Sequence, residues 1–125
     1  LIHLVSQDGW PKMDPRVEKA ISIIKNDLSK DLPISELART VNLSPSHLRR
    51  LFKTTFGLTT TRYIRSLRLE RAKGLLETTL LTVKEIGSEC GLKDESHFVQ
   101  NFKAVHGLTP LRYRRHYHRT RSRGE

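Results

Sequence analysis

The apolar positions of this chain recur at helical spacing and nowhere alternate as a strand would. Val17, Ala20, Ile21, Ile24 and Leu28 share one side of a helical wheel, which predicts an amphipathic helix. Asp14 followed by Pro15 marks its start: an acceptor side chain for free amides, then a ring already bent to helical φ. Ile34, Leu37, Ala38 and Val41 predict a short second helix. Ser44-Pro45 repeats the cap-plus-proline signal ahead of Leu48, Leu51 and Phe52. Further on, Thr82 and Glu85 form a T-x-x-E capping box before Val83, Ile86 and Cys90. Asp94 caps a helix that buries Phe98 and Phe102, and Thr109-Pro110 opens a last one. The chain reads as all-α.

Residues 60–78 predict a longer helix whose apolar side changes along its length. At about 100° per residue, Tyr63, Ile64 and Leu67 cluster on one side, and Leu69, Ala72, Leu75 and Leu76 fall opposite. A single wide-faced core helix is the plainer alternative. A connecting helix between two subdomains accounts better for the switch.

The repeat supports that division. HLRRLFKTTFGLT at 47–59 and HFVQNFKAVHGLT at 97–109 share His47/His97, Phe52/Phe102, Lys53/Lys103, Gly57/Gly107, Leu58/Leu108 and Thr59/Thr109. The likeness continues into RYIR at 62–65 and RYRR at 112–115. Each copy has a short helix, a tight turn and a second helix. The turns are V-N-L-S (41–44) and C-G-L-K-D (90–94), with Lys93 the extra residue. Asn42 and Gly91 stand where the chain must leave the helix with positive φ, which these residue types tolerate. Ala38 and Gly87 are small where two helices cross, and Leu43 and Leu92 are expected to plug the core. This is the plan of a helix-turn-helix, whose DNA-binding version lays its second helix in the major groove. Plain helical hairpins share that geometry, so one copy says little; two on one chain say more.

Charge sharpens the picture. The 125 residues carry 23 Lys+Arg against 13 Asp+Glu, a formal net charge of +10, which favours polyanions: nucleic acid first, acidic membrane surfaces second. No apolar run is long enough to span a bilayer and no signal peptide is visible. The one cysteine, Cys90, cannot form an internal disulfide, which fits a reducing compartment. The chain does not begin with Met and is read as a piece of a longer one. The expected division is a linker at 1–13, subdomains at 14–59 and 79–117, the connecting helix at 60–78 and a basic tail at 118–125.

The segments ISELARTVNLSPSHLRRLFKTTFGLT (34–59), YIRSLRLERAKGLL (63–76) and TVKEIGSECGLKDESHFVQNFKAVHGLTPLRYRR (82–115) resemble the C-terminal DNA-binding domain of AraC/XylS-type bacterial transcription regulators. The resemblance covers roughly residues 14–117. It implies seven helices in two helix-turn-helix subdomains, with the third and sixth helices entering successive major grooves on one face of double-stranded DNA. It further implies a cytoplasmic, nucleoid-associated bacterial regulator. RNA polymerase is an expected partner, and an N-terminal region outside this chain would bind any effector. Leu92 stands where the family usually has Phe, Thr60 where it has Pro, and Gln100 where Arg is common.

By that resemblance Ser46 and Arg50 match positions that reach base edges, and Arg50 suits guanine O6/N7. Arg49 serves either base or phosphate. On the sixth helix Gln100 suits adenine, Ser96 is permissive, and Glu95 either accepts from cytosine N4 or simply favours the helix dipole. Lys53, Lys103, Arg112, Arg114 and Arg115 are candidate phosphate contacts, and Arg119, Arg121 and Arg123 are read as a mobile tail. His47 and His97 each stand alone near a helix start, a packing or capping place. His106, His116 and His118 lack the cysteine or carboxylate spacing of a metal site. No nucleophile–base pair or phosphate loop is present, so neither an enzyme nor a cofactor is expected. The competing function is a protein-interaction module that contacts RNA polymerase without reading DNA.

Overall fold

A computed structural model of the chain describes residues 13–122, and over those residues it holds seven helices and no strand. They are α1 (Pro15–Asn26), α2 (Ile34–Thr40), α3 (Pro45–Phe56), α4 (Thr60–Thr78), α5 (Val83–Glu89), α6 (Glu95–His106) and α7 (Pro110–Ser122). The starts lie where the caps put them. The Asp14 carboxylate accepts the Arg16 amide at 2.8 Å, Ser44 Oγ accepts that of His47 at 3.1 Å, and Asp94 accepts that of His97 at 3.0 Å. In the capping box the Thr82 amide donates to Glu85 Oε1 at 2.8 Å and the Glu85 amide to Thr82 Oγ1 at 3.1 Å. The hydroxyls of Thr59 and Thr109 accept the amides of Arg62 and Arg112 at 3.2 and 3.3 Å, opening α4 and α7. Each such cap contributes about 1 kcal/mol.

The chain divides into two compact units. Of the described residues, one holds those up to Asp27 together with Leu32–Tyr63; the other holds Leu28–Asp31 and those from Ile64 onward. The division therefore falls one turn into α4, so most of the expected connecting helix belongs to the second unit. Residues 118–122 of the expected tail are helical, as the end of α7. The expected linker up to residue 12, and Arg123 with its two successors, lie outside the described residues.

In the first unit Val17, Ala20, Ile24, Leu37, Ala38, Val41, Leu48 and Phe52 are buried. Phe56 and Tyr63 close an aromatic group on Phe52, the Phe56 and Tyr63 rings stacked with centroids 4.5 Å apart. In the second unit Leu69, Ala72, Leu76, Ile86, Cys90, Phe98 and Phe102 form the core, with Leu75, Leu81, Val83, Leu92 and Tyr113 packed against it. Leu43 and Leu92 are half-buried, so they cover the core rim rather than plugging it. Cys90 takes the place of Val41. Burial pushes its thiol up to about 11, which leaves it protonated and a poor nucleophile or ligand.

Both helix-turn-helix turns are Schellman motifs. The Leu43 amide donates to Ala38 O at 2.9 Å and the Leu92 amide to Gly87 O at 2.7 Å. The residues between, Asn42 (φ 61°) and Gly91 (φ 76°), are left-handed as expected. Their surroundings differ. A Cβ on Gly91 would lie 2.5 Å from Leu28 O and 3.0 Å from Arg68 Nε, so a side chain has no room there. A Cβ on Gly87 would lie 2.8 Å from Leu92 O and 3.3 Å from the Phe98 ring, whereas Ala38 keeps its methyl at the matching place. The second crossing is tighter. Among the described residues no helix is long and apolar enough to cross a membrane.

Candidate nucleic-acid interface

Helix α3 turns Leu48 and Phe52 into the first unit's core, and this fixes what faces outward. Ser46, Arg49, Arg50 and Lys53 are exposed. The Lys53 ammonium donates to Gly57 O at 3.2 Å, covering the carbonyl end of α3. Helix α6 buries Phe98 and Phe102 in the same way and exposes Glu95, Ser96, Gln100 and Lys103. Glu95, Ser96 and Gln100 line one open depression with the half-buried Val99. The outward sets share a serine and a lysine, Ser46/Ser96 and Lys53/Lys103, and otherwise differ: two guanidinium groups on α3; a carboxylate, an isopropyl group and a carboxamide on α6.

On α7 the five expected cations separate. Arg112, Arg115 and Arg119 line a single cleft with Leu108 and His116. Arg114 points elsewhere: its Nε donates to Leu76 O at 3.1 Å and its Nη2 to Thr79 O at 3.2 Å, at the carbonyl end of α4. Arg121 lies over the Tyr117 ring, 5.5 Å from its centroid. Arg68 does for residues 28–31 what Arg114 does for α4, donating to Leu28 O at 2.9 Å and Lys30 O at 2.7 Å. At α4 the fork meets the last carbonyls and negative dipole end of a helix; at residues 28–31 it ties down a turn. These clasps were not read from the sequence. The signal for Arg114 was present, since it aligns with Ile64, which is buried. The Tyr113 hydroxyl, which donates to the Glu77 carboxylate, carried no signal of its own.

His47 is half-buried; His97 is exposed, with its Nδ1 3.6 Å from the capping Asp94 carboxylate. His106 packs on Phe102 inside the second unit. Among the described residues no three His, Cys, Asp or Glu side chains gather as a metal site.

Two short helices crossing a longer one through left-handed turns, with an outward polar face on each second helix, define a paired helix-turn-helix protein. A helix-turn-helix domain model matches residues 37–116. The arabinose operon regulatory protein of Escherichia coli is 33% identical over 114 residues, covering 90% of this chain and 39% of that protein. The xylose operon regulatory protein of the same organism is 34% identical over 114 residues, covering 91% of this chain and 29% of that protein. A solved AraC-type DNA-binding domain protein from Chromobacterium violaceum is 30% identical with a TM-score of 0.78, covering 82% of this chain and 92% of that one. The chain belongs to the AraC-type family of helix-turn-helix transcription regulator domains. It spans well under half the length of the two operon regulators.

Proposed function

We propose that the chain binds double-stranded DNA sequence-specifically in transcription control. As a monomer, α3 and α6 enter adjacent major grooves of one asymmetric site, roughly one helical turn apart. The observation that carries this is the pair of equivalent helices α3 and α6. Each buries its aromatic face and leaves an outward set of donors and acceptors suited to base edges. On α3, Ser46, Arg49 and Arg50 read bases, Arg50 forking onto guanine; on α6, Gln100 pairs with adenine, and Ser96 and Glu95 contact neighbouring edges. Lys53, Lys103, Arg112 and Arg115 meet phosphates. Any effector would be bound by a region outside this chain, and RNA polymerase is the proposed protein partner.

Selection of this chain from random duplex, followed by affinity against salt, tests the reading. The expected result is one asymmetric sequence about two grooves long, bound with an affinity that falls steeply with salt as counterions are released. Failure to enrich any sequence, with salt-insensitive capture of RNA polymerase instead, would favour the interaction-module reading.

A further inference from the structure

We infer that the outer face of α7 is a built phosphodiester site, in which Arg112, Arg115, His116 and Arg119 hold the DNA backbone flanking the α6 half-site. The inference rests on the DNA-binding reading above. It adds to that reading Arg119, which stands in the segment read only as a mobile basic tail, and His116, which the sequence offered only as a metal ligand without partners. Four observations carry it. The four side chains, all exposed, and Leu108 line one open cleft of about 320 Å³, so the charges border a common volume. Their spacing puts the three arginines along one side of the helix; seven residues separate the first from the last, roughly 10 Å of axis. A DNA strand presents a charge about every 3.4 Å of its axis, so that stretch of guanidinium groups faces two or three consecutive phosphates. No carboxylate lines the cleft. The other two arginines of α7 that the structure describes are engaged away from it, Arg114 on the carbonyls of Leu76 and Thr79 and Arg121 on the Tyr117 ring.

Planar forks suit phosphate oxygens, and His116 adds a ring nitrogen donor beside them. Leu108 gives the cleft an apolar wall against which the arginine stems can lie. An isolated phosphate would engage part of such an elongated row. A strand backbone engages all of it.

The test is the double variant Arg115→Gln/Arg119→Gln, with Arg121→Gln as the control, each measured on the selected duplex. Both changed positions are exposed, and unchanged melting confirms the fold. The double variant is expected to bind about ten-fold or more weakly. It should lower the slope of log affinity against log salt by about two, at roughly 0.9 per phosphate contact, and select the same sequence as the unmodified chain. Ethylating the phosphates that flank the α6 half-site should weaken the unmodified chain more than the double variant, which keeps only Arg112 and His116 there. An unchanged salt slope, or an equal loss in Arg121→Gln, would overturn the site. So would inorganic phosphate or an acidic peptide that protects the unmodified chain from heat while the duplex slope stays the same; that result would assign the cleft to those anions. If the unmodified chain selects no sequence, the DNA reading falls and this inference with it. If it selects one and only the slope is unmoved, the cleft alone is refuted.

Discussion

In the first unit Phe56 stacks on Tyr63 with centroids 4.5 Å apart; in the second the matching pair is His106 and Tyr113, 6.4 Å apart. His106 Nε2 is buried without a hydrogen-bond partner, with Glu70 Oε2 3.6 Å away. The reverse holds at the start of the following helix. Pro110 is buried at the head of α7, while the matching Thr60 at the head of α4 is 4% exposed and its hydroxyl has no partner. Each unit thus leaves one buried polar atom unpaired at a position where the other carries an apolar residue. Burying such an atom costs about 1–3 kcal/mol. Two copies of one plan have diverged in how well they are packed, and each holds the remedy for the other's defect.

The largest difference expected from mutation lies along α4. Leu76 is fully buried in the second core, whereas Leu67 is half-buried. Leu76→Asp should lower unfolding free energy by several kcal/mol, because the carboxylate has no partner in that core. Leu67→Asp should lower it less, since water reaches the site. Urea midpoints decide the matter; equal losses would mean that α4 does not grade from a partly wet to a dry surface.

Next come the turns. Gly91→Ala combines a left-handed φ with a methyl against Leu28 O, and should cost roughly 2–5 kcal/mol. Asn42→Ala meets only the backbone term, about 1–2 kcal/mol. Should Asn42→Ala prove as damaging as Gly91→Ala in thermal melts, the tighter second turn is not a real distinction.

The outward faces give the functional version of the same contrast. Arg50→Ala should cost about 1–3 kcal/mol of DNA affinity and relax one half-site, and Gln100→Ala should relax the other at smaller cost. Selections with both variants read this directly. Identical selected half-sites would show that the two units are not read differently.

How far the sequence reached follows the same division between local and distant partners. Helix starts, the capping box, the two left-handed turn residues and the terminal glycines were legible because each depends on neighbours within about one turn. The core aromatics Phe52, Phe98 and Phe102 were legible through their period. What escaped were partners far apart in the chain. Arg114 was assigned to phosphate with its neighbours on the final helix, yet its guanidinium lies on carbonyls more than thirty residues back; its alignment with the buried Ile64 marked it as inward-facing but named no partner. The boundary inside α4 and the grouping of residues 28–31 with the second unit escaped for the same reason. Arg119 was read as tail because the last helix continues through a stretch almost without apolar residues. Its cleft appears only once the side chains of that helix are placed around Leu108.

The smallest effects are stabilising and come from exchanging the remedies. Thr60→Pro puts the second unit's residue at the first position of α4, where an amide is free in any case and the ring fits helical φ. It also removes the unpaired hydroxyl, so a gain of about 1–2 kcal/mol is expected. His106→Phe makes the opposite exchange. The ring already packs on Phe102 at 4.5 Å and its side chain is 12% exposed, so a phenyl group keeps those contacts and removes the unpaired nitrogen. The added bulk and the loss of any attraction to Glu70 hold the gain to about 1 kcal/mol. Glu70→Gln separates the two contributions. If the nitrogen is truly unpaired, His106→Phe stabilises while Glu70→Gln changes little. If Glu70→Gln destabilises as much as His106→Phe is expected to gain, the histidine is paired with Glu70 in solution. The second unit would then have its own solution rather than a flawed copy of the first.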